Sequence, residues 1–182
     1  MARAWEAALD EAAPDVRDVR KVKMRAAMVM SPDPGGVFET LLTLVRRGLG
    51  GKAGDGRQYV SWIHHVDFVR SVRWLIDRES FEGPVNLAAP NPLPYADFMR
   101  AFREAWGISF GLPATRWMLE IGALLMGTET ELVLKSRRVV PGRLLQEGFS
   151  FEFPAWPEAA RDLCVAWRRA CDLPQEESAV CQ

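Results

Sequence analysis

The stretch GDGRQYVSWIHHVDFVRSVRWLI, residues 54–76, passes from a glycine-framed turn through a run of β-formers into a helical repeat. Gln58 to Ile63 reads as a short strand. Asp67 then suits the positive end of a helix, with Val69, Val72, Leu75 and Ile76 on one face. Working outward, VRKVKMRAAMVMSPDPGG sets Val22, Met24, Ala26, Met28 and Met30 at period two, with Lys21, Lys23 and Arg25 opposite. That spacing predicts a strand over 22–30, closed by a Pro/Gly turn. Ala4 to Ala13 is rich in helix formers and stops before Pro14. Val37 to Leu49 carries Phe38, Leu41, Leu42 and Val45 at helical spacing and runs into Gly48.

Downstream, GPVNLAAP at 83–90 is a third short strand, apolar enough to be buried on both faces. The rest is helical in pattern: Tyr95–Trp106, Ala114–Leu125, Glu129–Arg138, a short piece at Arg143–Glu147, and Pro157–Cys171, before an aperiodic tail. Strands alternating with helices and then helices alone make the expected class α/β, with a parallel sheet and a mainly helical C-terminal part.

Composition narrows the function. With 182 residues, 48% of them hydrophobic, the chain can bury a substantial core. Lys and Arg total 23 against 24 Asp and Glu, a balance that offers no nucleic-acid footprint and no polybasic membrane anchor. The basic clusters at 16–25, 135–143 and 167–170 are expected to be solvated faces. No apolar run is long enough for a membrane span, and the N-terminal residues do not resemble a signal peptide. Cys164, Cys171 and Cys181 lack metal-ligand spacing, which points to a reduced, cytoplasmic setting with no disulfide framework and no metal site.

Two motifs invite catalytic readings. In GLGGKAGDG, Gly48, Gly50 and Ala53 match a GxGxxA spacing, but a dinucleotide loop must leave a strand and open a helix. This one leaves a helix and enters a strand, so it is expected to be a connector. His64 and His65, the two histidines of the chain, fall on opposite sides of an extended segment and cannot chelate one metal together. Ser61 lies an odd number of residues from His64, which argues against a nucleophile and base pair. A structural histidine is the expectation. Of the seven tryptophans, Trp62 stands out, because it ends a strand beside the histidines, where a cleft could open.

Taken together, G-x-G-x-Q-x-x-x-W-I-H-x-x-D at 54–67, GPVNLAAPNP at 83–92 and RVVPGRLLQEGFSFEFPAWPEAARDL at 138–163 resemble the C-terminal half of epimerase-like, atypical extended short-chain dehydrogenase/reductases. The resemblance runs from about Trp5 to Leu163. It implies the second half of a Rossmann-like sheet in residues 1–112 and a helical domain of unknown function in 113–171, and the lack of periodicity in 172–182 points to a disordered tail. It also implies Met28, Gln58, Trp62 and His64 as substrate-side residues, with Asp67, Asn86, Pro90 and Asn91 as structural parts of the motif.

In complete members of that family the first half supplies the glycine-rich loop for NADP and a Tyr-x-x-x-Lys pair for proton transfer. Here Tyr59 and Tyr95 are followed four residues on by Ile63 and Met99, so no catalytic residue can be carried over. Nucleotide-sugar epimerases tend to place an arginine where this chain has Val60, which argues against a UDP-sugar substrate. The expected protein is therefore the substrate-side half of an NAD(P)-linked enzyme of an unidentified small molecule. Alone it is expected to bind no cofactor and to be inactive. Its bare sheet edge would be met by a homodimer partner or by a separately encoded N-terminal half. The alternative is a non-enzymatic interaction module or a truncated product.

Overall fold

The computed structural model describes residues 2–12, 20–113 and 136–172. In chain order these form α1 (Ala2–Ala12), β1 (Val22–Ala26), β2 (Met28–Met30), α2 (Val37–Arg46), β3 (Tyr59–Val60), β4 (Trp62–His64), α3 (His65–Asp77), β5 (Gly83–Leu87), β6 (Leu93–Pro94), α4 (Tyr95–Trp106), α5 (Gly142–Gln146) and α6 (Trp156–Asp172). The helices expected over 114–125 and 129–138 lie mostly outside the described residues, as does the tail beyond 172.

The sheet is parallel where the sequence demanded it. β1 pairs with β5 in the register Val22 to Gly83 through Ala26 to Leu87, and β2 pairs with β4 from Met28 to Trp62 through Met30 to His64. A small antiparallel pair, β3 with β6, sits beside them. The expected strand 22–30 is real but broken at Ala27, which donates to Leu87 O, whereas Met28 donates to Ser61 O. On the far side of β4, Trp62 O accepts from Ala89 N–H. β4 is thus wedged between the end of β2 and the residues that follow β5.

The break changes the alternation, as an inserted residue in a strand must. Val22 packs with the cluster of Ile63, Leu75, Phe81, Val85, Leu87, Leu144 and Phe149, yet beyond Ala27 that role passes to Val29, while Met28 and Met30 join the opposite cluster. The uninterrupted period two read from Val22 to Met30 is therefore corrected: one residue at Ala27 moves the rest to the other face.

Two cores result, one on each side of the sheet, which makes the architecture a three-layer α/β arrangement. On one face α3 and α5 cover Ile63, Val85 and Leu87. On the other, α2, α4 and α6 enclose Trp62 and Met30, with Phe98 stacked on Trp156 at 4.1 Å between ring centroids and Phe38 on Phe102 at 5.2 Å. Adjacent residues of β4 serve both cores, Trp62 one and Ile63 the other.

Three further expectations need correction. α3 begins at His65, so the two histidines do not share an extended segment, and their rings lie 4.5 Å apart. Its buried stripe is Asp67, Ser71 and Leu75, whereas Val69 and Ile76 of the expected apolar face are exposed. The polar pair can be buried because each is bonded, Ser71 Oγ donating to Phe68 O and Asp67 accepting as described below. Finally, Cys171 is disulfide-bonded, against the expectation of reduced cysteines, while Cys164 is free and buried.

Candidate functional site

Ligands of open α/β sheets bind beyond the carboxyl ends of the strands. Here β2, β4 and β5 end at Met30, His64 and Leu87. The motif residues gather at this end, and most of them hold the C-terminal segment.

Asp67 lies in the first turn of α3 and is fully buried. Its Oδ1 accepts from Glu152 N–H at 2.9 Å and from the Arg70 guanidinium at 2.7 Å, and its Oδ2 accepts from Phe153 N–H at 2.8 Å. A carboxylate with three donors repays its desolvation, and the two backbone donors come from a segment some 85 residues away. Asn91 continues the clamp by donating to Pro154 O at 3.0 Å, and Asn86 donates to Val140 O at 3.4 Å. Pro90 shapes the bend between β5 and β6.

His64 is fully buried and caps α3, its Nδ1 accepting from Val66 N–H at 3.2 Å. An accepting Nδ1 puts the proton of the neutral ring on Nε2. That nitrogen faces Asp162 Oδ2 of α6 at 3.3 Å without hydrogen-bond alignment. Phe153 stacks on the imidazole with centroids 3.9 Å apart. Burial, reinforced by the neighbouring charge of His65, pushes the His64 pKa down to about 4, against the pull of Asp162 and Asp67. At neutral pH the ring is uncharged.

Trp62 is fully buried and meets Trp156 edge-on, at 5.0 Å between centroids, and its indole N–H has no partner among the described residues. Gln58 is buried and donates to Ala53 O at 3.0 Å, so it ties the glycine connector to the start of β3. Met28 is half-buried against the larger core. Of the four substrate-side candidates, three are thus enclosed in packing, and Met28 keeps part of its surface.

Ser61 does work the sequence did not disclose. Its hydroxyl donates to Arg137 O at 2.6 Å and accepts from Val139 N–H at 2.8 Å, and Arg137 N–H donates to Tyr59 O at 3.0 Å. Residues 136–139 therefore run along β3 like an added strand. Neither this partner nor Asp162 carries a local sequence signal, because each is brought close by the fold from more than 70 residues away.

The glycine connector does not fit a dinucleotide. The connector that matched GxGxxA is stitched to the segment after α4, with Leu112 N–H bonded to Gly48 O at 2.8 Å and Gly51 N–H to Leu112 O at 3.2 Å. A side chain at Gly51 would overlap the Leu112 carbonyl, so the space a pyrophosphate would need is filled by backbone. Tyr95 is no substitute acid, since burial raises its pKa to about 12. Among the described residues no cluster of His, Cys, Asp or Glu could hold a metal, and no helix is long and apolar enough to cross a membrane.

Comparisons with known proteins match the chain to part of epimerase-family proteins. Residues 114–163 match the domain of unknown function DUF1731. An epimerase family protein of Mycobacterium bovis is 34% identical over 155 residues, 85% of this chain but 50% of that protein. One of Staphylococcus aureus is 31% identical over 79% of this chain and 47% of its own length. Among solved structures, the human epimerase family protein SDR39U1 with NADPH superposes with a TM-score of 0.74 at 26% identity, over 85% of this chain and 52% of that one. The nucleoside-diphosphate sugar epimerase of Corynebacterium glutamicum gives 0.66 at 26% identity, over 96% and 34%. UDP-glucose 4-epimerase of Thermotoga maritima, with UDP-glucose, shares the fold at 18% identity and a TM-score of 0.66. The chain spans about half the length of the curated relatives it matches.

Proposed function

Starting from a chain that corresponds to about half of an epimerase-family protein and carries a DUF1731 domain, we propose that it is the substrate-side half of an NAD(P)-linked oxidoreductase or epimerase. The observation that carries this reading is the match to one half of an NADPH-bound relative at a TM-score of 0.74. By the family resemblance, the nucleotide loop and the proton-transfer pair belong to the other half. This half contributes a closed substrate wall, built from β2, β4 and the clamped 149–156 segment. Val60, in place of an arginine, disfavours a diphosphate-bearing substrate and favours a small hydroxylated one.

Titration of the 182-residue chain with NADPH, followed by cofactor fluorescence and calorimetry, tests the division of labour. The expected result is no saturable binding. Micromolar affinity would overturn the reading, because it would place a cofactor site within this half. A second reading, a module that works through a protein partner, is favoured by the exposure of Met24, Arg25 and Ala26 on β1.

A further inference from the structure

We draw no further inference here: the strongest candidate, the side-chain cluster at the carboxyl end of β4 where Trp62 Nε1 and His64 Nε2 lack hydrogen-bond partners, is enclosed by Trp156, Phe153 and Asp162 and belongs to the site already described.

Discussion

The carboxyl end of β4 and the strand β1 lie in neighbouring two-stranded parallel pairs, yet they are finished in opposite ways. At β4 the polar groups of the motif are matched: Asp67 holds two backbone amides and Arg70, His64 caps α3, and Asn91 holds Pro154 O. Trp62 and Trp156 close the apolar side. At β1, Met24, Arg25 and Ala26 are exposed, and no strand among the described residues pairs with its outer edge. The contrast separates two uses of sequence. The motif around β4 secures the C-terminal segment within this chain, whereas β1 and α1 leave Met24, Trp5 and Leu9 exposed.

The comparison can be broken at its strong side first. Trp156→Ala, at a position 1% exposed in the middle of the aromatic stack, should cost about 3–5 kcal/mol in denaturant unfolding. A much smaller loss would mean that the aromatic core is not what joins α6 to the sheet.

Acid should act through His64. Its folded pKa is about 4 against an ordinary 6.5, so between those values the unfolded chain takes up a proton that the folded chain refuses. Stability attributable to His64 is full above about pH 6.5 and declines towards pH 4, by about 3 kcal/mol in all. Subtracting the unfolding profile of His64→Gln from that of the parent isolates this slope. Equal profiles would contradict the burial of a neutral ring.

Asp67→Asn keeps the size of the side chain but leaves a donor facing the donors of residues 152–153, and should destabilise by about 2 kcal/mol. The same change should release 149–156 to limited proteolysis before the sheet unfolds, if the clamp is as local as its bonds suggest. On the weak side, Met24→Lys should shift the stability of the isolated chain by less than about 0.5 kcal/mol, since an exposed side chain loses little. A loss of several kcal/mol would show that β1 is already covered.

Much of this was legible in the sequence. The kinds and order of elements follow from periodicity and from Gly and Pro punctuation, and the connector role of GLGGKAGDG follows from its place between helix and strand. The motif residues were legible as a set. What they grip was not, because Glu152, Phe153 and Pro154 are far away in the chain. The start of α3 was legible to within a turn from Asp67, whereas its cap was not, because a histidine rather than Ser, Thr or Asp supplies it. The buried face of α3 was misread because Asp67 and Ser71 are polar yet fully bonded, so hydrophobicity points to the wrong stripe. The break at Ala27 leaves no mark in composition, because alanine suits either face.

The most direct test of the account is amide exchange on the isolated chain, comparing Val66, Glu152 and Phe153 with Met24 and Ala26. The account predicts that the first three exchange only through opening close to global unfolding, and that the last two exchange at nearly unprotected rates. Equal protection of the two groups would contradict it, since β1 would then be covered.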